Sequence, residues 1–281
     1  MKKRDWLKSI PIAHRGIKNK NIIENTVESV NCAVLEGYAI EIDVRITDLN
    51  EIIVLHDKNI YRISGINKHY SKLTTEDLKE IKLKGSNSTI PTLQDILNLV
   101  NGRVPILIEL KADFSCYRLE RMSKKISEIL SNYKGEYAIQ SFHPEVYRIY
   151  KKYDRNARVG LITPIFYPKT SILNNIFFKY SITRYNYDFI TFSVDHLPNN
   201  IIKRLSESNK TLLFYHITNK QKEEKAREYN GNIIWADYEN TNIDIIQLEI
   251  NHKFRDKNNI NECQKTCDAL IEFVKIYSNV C

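Results

Sequence analysis

The chain has 281 residues, 42% of them hydrophobic and 27% charged, enough for a real core in one large α/β barrel or two small domains. The 42 Lys and Arg residues outnumber the 34 Asp and Glu residues, giving a net charge of +8, a balance that could favour phosphates, nucleic acid or an acidic membrane surface. The positive charges are scattered, however, and no basic stripe interleaved with stacking aromatics marks a nucleic-acid binder. No apolar run is long enough to span a bilayer, and MKKRDWLKSIPIAHRG carries charge but no apolar h-region, so a cytoplasmic location is expected.

Short apolar runs alternate with amphipathic stretches, which argues for βα units around a parallel sheet. Eight runs read as barrel strands: 10–14, 39–44, 104–110, 137–141, 158–162, 189–193, 211–215 and 232–236. The pattern predicts a (β/α)8 TIM barrel, in which active residues sit where strands end and loops begin. The first helix is expected over 26–36, with Asn25 or Thr26 near its cap and Gly37 ending it. A long insertion, 45–103, separates strands two and three. Within it, 45–47 and 52–55 read as hairpin arms turned at Asp48-Leu49-Asn50, since Asn tolerates a positive φ. Segments 75–82 and 93–100 read as helices, the second started by Pro91-Thr92, and further helices are expected over 117–132 and 144–153.

Between Thr163 and Tyr187 the alternation fails in an aromatic-rich stretch, long for a βα loop. Ile176, Phe177 and Tyr180 read as helix packing on the barrel. Phe166 and Tyr167, just past a strand end, fit a lid or wall over the site. The barrel domain is expected over 1–240. A helical extension over 241–281 would pack on the barrel or a second subunit, with 262–279 an amphipathic helix presenting Leu270, Phe273, Val274 and Tyr277. The five cysteines have no disulfide spacing. Cys32 reads as core, and Cys263 and Cys267 as free thiols.

The chemistry gathers in a few strands. Side chains two apart share a face of a strand, so in Ile40-Glu41-Ile42-Asp43-Val44 the acids point one way and the apolar residues the other. In Ile108-Glu109-Leu110-Lys111 the acid and the lysine share a face. A carboxylate in so apolar a strand is costly unless paired or bound to a cation. Three of them with His14, His56, Arg15 and Lys111 suggest a hard cation holding an anion. Buried salt bridges, such as Glu41 with Arg15, are the plainer alternative. All-oxygen ligation by Glu41, Asp43 and Glu109 favours Mg²⁺ or Ca²⁺. Arg15 and Lys111 would donate to a phosphate, and His14 and His56 would move protons.

The motifs HRG (14–16), ENT (24–26), ExD (41–43), HD (56–57) and ExK (109–111) resemble, in order and spacing, those of the glycerophosphodiester phosphodiesterase family. DVRIT and YRISG strengthen the likeness, which is strong over 10–111 and weaker to about 240. The resemblance implies a metal-dependent enzyme that cleaves a small-molecule glycerophosphodiester to sn-glycerol 3-phosphate and an alcohol, with both His14 and His56 acting. It also places ENT close to the metal, which brings in Glu24 and Asn25, and it matches the Gln-Ser-Phe of Gln140 and Phe142, of which Gln140 either touches substrate or satisfies buried backbone. Later strands depart from the family: its Trp-Thr-Val-Asn is replaced by Tyr215-His216-Ile217-Thr218, and its Thr-Asp-x-Pro by Ala236-Asp237-Tyr238-Glu239. His216 reads as a pocket residue or a surface neighbour, not a ligand. Two other readings stand beside the main one: a lysophospholipid-cleaving, cyclic-phosphate-forming enzyme on the same barrel, and a non-catalytic binding protein. The leaving alcohol, the acid and base assignments and the oligomeric state stay open.

Overall fold

The computed structural model describes residues 5–113, 115–163 and 182–236. Nine strands cross it: β1 (Ile12–His14), β2 (Ala39–Ile46), β3 (Ile52–Val54), β4 (Ile106–Leu110), β5 (Tyr137–Ser141), β6 (Arg158–Ile162), β7 (Phe189–Ser193), β8 (Thr211–Ile217) and β9 (Asn232–Trp235). All but β3 pair in parallel, in the order β1, β2, β4, β5, β6, β7, β8, β9 and back to β1. Eight parallel strands therefore close a barrel, and they are the eight read from the apolar runs. The described helices are α1 (Trp6–Ser9), α2 (Val27–Leu35), α3 (Tyr61–Ser64), α4 (Thr75–Glu80), α5 (Leu93–Val100), α6 (Cys116–Leu130), α7 (Val146–Tyr150), α8 (Asn200–Glu207) and α9 (Lys220–Arg227). None is long and apolar enough to cross a membrane.

Two details differ from expectation. The second strand does not stop at residue 44. All eight residues of β2 are buried, so the strand runs straight on and its last three residues pair antiparallel with β3, Val44 against Val54 and Ile46 against Ile52. The hairpin turns at Asn50, whose φ is 64°. Secondly, Cys32 on α2 is half-exposed rather than core. Cys263, Cys267, the aromatics of 166–180 and the extension helix lie outside the described residues.

Every second strand residue enters the barrel. Ile12, Ala39, Leu107, Ala138, Phe189 and Leu213 pack together there, joined by Trp6 and Leu7 of α1. Gly160 on β6 has no side chain for a steric reason: a Cβ there would meet the Phe189 ring at 2.2 Å. The insertion after β2 has its own small core, in which Ile53, Leu55, Ile60, Tyr70, Leu78 and Ile90 are buried together. That core fixes the hairpin against the barrel and so fixes whatever the hairpin carries.

Candidate active site at the barrel rim

Strand register brings the acids together. His14 lies beside Glu41 across β1 and β2. Asp43, Glu109 and Gln140 are lateral partners on β2, β4 and β5. All five point inward with the alternation of their strands, at the end of the barrel from which the βα loops leave. Oxygen atoms of Glu41, Asp43 and Glu109 lie within 4.8 Å of one another, and all three residues are buried. Glu41 Oε1 is buried and meets no donor among the described residues. Asp43 Oδ1 and Glu109 Oε1 are met by Lys111 Nζ, at 3.0 and 2.6 Å.

The charges do not balance locally. Burial, then Asp43 and Glu109, pushes the Glu41 carboxyl well above its usual range. Burial and Asp43 raise Glu109 as well, against the pull of Lys111. Burial would also raise Asp43, but Lys111 and Arg15 outweigh it and hold that carboxyl far below its usual range. One acid is thus committed to its cations while two are left electrostatically short. A buried carboxyl trio short of positive charge, with Glu41 Oε1 unpartnered, fits a hard divalent cation.

The loop after β1 surrounds Asp43. Arg15 takes φ 61° and Gly16 φ 77°; a Cβ on Gly16 would meet the Ser29 backbone at 2.5 Å, so only glycine lets α2 approach. Thr26, not Asn25, caps α2: its Oγ1 accepts from Ser29 N, and Ser29 Oγ accepts from Thr26 N. Asn25 is thereby free for the barrel. It donates from Nδ2 to Asp43 Oδ2 at 3.0 Å and accepts from Asp43 N at 3.3 Å. Arg15 Nε lies 2.9 Å from Asp43 Oδ2. Arg15 does meet Glu41, but through its backbone N–H, which donates to Glu41 Oε2 at 3.1 Å. Glu24 caps nothing; it accepts from Arg15 at 3.0 Å and from Arg62 at 2.6 Å.

The two histidines stand in different settings. His56 leaves the end of the hairpin, where the Leu55 N–H donates to the Asp43 carbonyl at 2.8 Å. Its Nδ1 is 2.8 Å from Asp57 Oδ1. The Asp57 carboxyl is held below its usual range, against burial, by hydrogen bonds from Arg62 and His56. It is therefore an ionised acceptor, which leaves His56 Nε2 as the free nitrogen. Arg45 clamps the His56 carbonyl with Nε and Nη2 at 3.0 and 2.6 Å and pairs with Asp113 through Nη1. His14 has its Nε2 3.9 Å from Glu41 Oε2 and a buried Nδ1 with no partner. Burial and then Arg15 hold His14 well below the usual imidazole range. Burial lowers His56 too, with the Asp43 and Asp57 carboxylates opposing.

A cavity of about 220 Å³ opens above these groups. His14, Arg15, Glu41, His56, Glu109, Lys111, Gln140 and Phe142 all line it. Gln140 Oε1 accepts from Thr191 Oγ1 at 2.9 Å. Phe142 lies under Lys111 Nζ at 5.7 Å. Four participants were not singled out from sequence: Asp57, Arg62 and Arg45, which hold His56 and Glu24, and Thr191. Arg45 follows Glu41 and Asp43 at the same two-residue step, which was the available signal. A larger groove of about 780 Å³ lies elsewhere, between α5 and α6. It holds no carboxylate cluster and no histidine, and the chemistry is not there.

The chain is similar in fold to a phosphodiesterase from Oleispira antarctica solved with the product sn-glycerol-3-phosphate, with a TM-score of 0.71 and 19% identity over 85% of this chain and 97% of that one. It is similar too to a glycerophosphodiester phosphodiesterase structure from Thermotoga maritima, with a TM-score of 0.63 and 20% identity over 80% and 94% of the two chains. In sequence it is 29% identical over 166 residues to a glycerophosphodiester phosphodiesterase of Caldanaerobacter subterraneus subsp. tengcongensis, covering 56% of this chain and 67% of that one. It is also 29% identical over 149 residues to a lysophospholipase D of Mus musculus, where the match spans 48% of this chain and 45% of the relative. The glycerophosphoryl diester phosphodiesterase family model runs from His14, the first rim residue, to residue 240, past the last barrel strand. Such a match, over far more than half the chain and over the barrel that builds the acidic rim, makes this protein a member of the glycerophosphoryl diester phosphodiesterase family.

Proposed function

We propose that the rim cluster hydrolyses a glycerophosphodiester to sn-glycerol 3-phosphate and an alcohol, with one divalent cation, Mg²⁺ or Ca²⁺. The observation that carries this reading is the trio of buried carboxyl oxygens within 4.8 Å of one another, set beside two imidazoles and two fixed cations in one cavity. Glu41, Asp43 and Glu109 would hold the cation, which supplies charge neutralisation for the phosphoryl oxygens when bound. Arg15 and Lys111, already oriented by Asp43, donate to the same oxygens as negative charge grows on them.

His14 and His56 move the two protons that hydrolysis requires. One leaves the attacking water as the new P–O bond forms, and one reaches the alcohol oxygen as the old P–O bond breaks. Asp57 holds the His56 ring with Nε2 free for that exchange. Asn25 and Glu24 act one step back, by holding Asp43 and Arg15. Chelator-treated protein supplied with Mg²⁺ or Ca²⁺ is expected to release a free alcohol from glycerophosphocholine or glycerophosphoethanolamine. Full activity after both His14→Ala and His56→Ala are made together overturns the assignment.

A second reading has its own support. Several relatives are lysophospholipases D, and one side of the cavity is apolar, with Phe142, Ile162 and Ile234. On a lysophospholipid the same groups would let the glycerol hydroxyl attack phosphorus and expel the headgroup. Phosphorus NMR at early times separates the two: no cyclic phosphate rules this second reading out.

A further inference from the structure

Alternation cannot place two consecutive strand residues on one face, yet Tyr215 and His216 both line the cavity. The pairing of β8 with β9 shows how. Phe214 lies opposite Ile233 and Ile217 opposite Trp235, so two residues of β8 face the single Ile234. This is a one-residue β-bulge, a device that re-aims a side chain. His216 sits in it with φ 60°. Among the described residues eight that are not glycine take positive φ, and six are asparagine or aspartate, which tolerate it. The other two are Arg15 and His216, and both stand just past or at the ends of barrel strands. Strained backbone gathered there points to a functional constraint.

The His216 ring meets the His14 ring edge-on, with centroids 6.0 Å apart, and packs on Tyr215 at 4.8 Å. No described residue hydrogen-bonds its ring nitrogens. On its wall of the cavity the Tyr215 hydroxyl donates to the Thr163 carbonyl, the Thr191 hydroxyl donates to Gln140 Oε1, and Ile162 and Ile234 offer nothing polar. Burial, then Arg15, keeps the imidazole pKa below its ordinary value. A neutral imidazole has one donor and one acceptor, which suits a hydroxyl better than a phosphate already met by Arg15 and Lys111.

We propose that His216 is a substrate-contact residue that reads a hydroxyl on the carbon skeleton of the phosphate ester, beside His14. This rests on the phosphodiesterase reading for its ligand class, but its test is by binding. Calorimetry with Ca²⁺ present compares sn-glycerol 3-phosphate with methyl phosphate, which lacks the hydroxyls. His216→Gly suits φ 60° and is expected to melt at or above the wild-type temperature. It should weaken glycerol 3-phosphate about tenfold and methyl phosphate less than twofold. His216→Asn, which also tolerates this backbone, should recover part of the loss. In the wild type, the His216 ring ¹⁵N shifts should move with glycerol 3-phosphate and not with methyl phosphate. Equal weakening of both ligands, no weakening of either, or unmoved ring shifts overturn the proposal. Absent diester turnover with glycerol 3-phosphate binding intact would instead remove the phosphodiesterase reading and leave His216 standing.

Discussion

Replacing Glu41 by Gln should stabilise the metal-free protein and destroy its response to a divalent cation. Glu41 is 1% exposed, and its oxygen lies within 4.8 Å of those of Asp43 and Glu109. At that separation and an effective dielectric of about 20, each like-charged pair costs about 3.5 kcal/mol. Glu41 takes part in two such pairs. Attraction to Arg15 and Lys111 and uptake of a proton offset most of this, so a net gain of about 1–3 kcal/mol is expected for the neutral amide. The sign of the pH effect follows from the raised carboxyl. Its contribution is fully present below about pH 4.5 and is lost as pH rises through the folded-state value. The gain from Glu41→Gln should therefore be larger at pH 7.5 than at pH 5. With a cation at about a hundred times its Kd, wild type should gain about 2.7 kcal/mol, or about 5–11 °C in Tm at about 2–4 °C per kcal/mol. The variant should gain far less, so its advantage over wild type shrinks by most of that amount. Thermal melts with chelator and then with Mg²⁺ or Ca²⁺ read both halves. A variant that melts lower than wild type in chelator, yet responds to the cation as wild type does, refutes the reasoning.

Asp57→Asn should lower kcat by about 10²–10⁴, because it removes the charge that orients His56, while the affinity for sn-glycerol 3-phosphate holds within threefold; a kcat within twofold of wild type would show that Asp57 serves only Arg62. Arg45→Met strips two hydrogen bonds from the His56 carbonyl and should cost about tenfold in kcat through misplacement of that ring, with Arg45→Lys intermediate. An unchanged kcat in a folded Met variant would mean the hairpin core alone holds His56. In chelated Glu41→Gln protein, unfolding free energy should fall as pH drops from 7 to 5. His14, His56 and His216 have depressed folded values, so their contribution is present above about 6.5 and lost on acidification. Denaturant melts across that window would contradict this if stability rose instead.

Alternation along single strands was readable without coordinates, and it carried the eight barrel strands and the shared faces of Glu41 with Asp43 and of Glu109 with Lys111. Register between strands was not readable. That Asp43 meets Glu109 and then Gln140 laterally depends on how three strands far apart in the chain slide against one another, and no local pattern encodes it. Loop residues have no periodic face, so Asp57 and Arg62 stood in quoted motifs without assigned partners. The cap of α2 went to Thr26 because a side-chain pair with Ser29 could close there, and that choice released Asn25 to hold Asp43. His216 shows the limit most sharply. A strict two-residue period from Leu213 and Tyr215 sends it outward, and only an unpaired residue in β8 brings it in. Where the period held, the chain built a wall; where β8 broke it, at the cost of a positive φ, a second ring came to stand against His14. The acidic rim follows from regular strands and can be shared by any barrel with the same alternation. His216 in its bulge, on a strand whose sequence departs from the family's, is where this chain would differ from its relatives in what it binds.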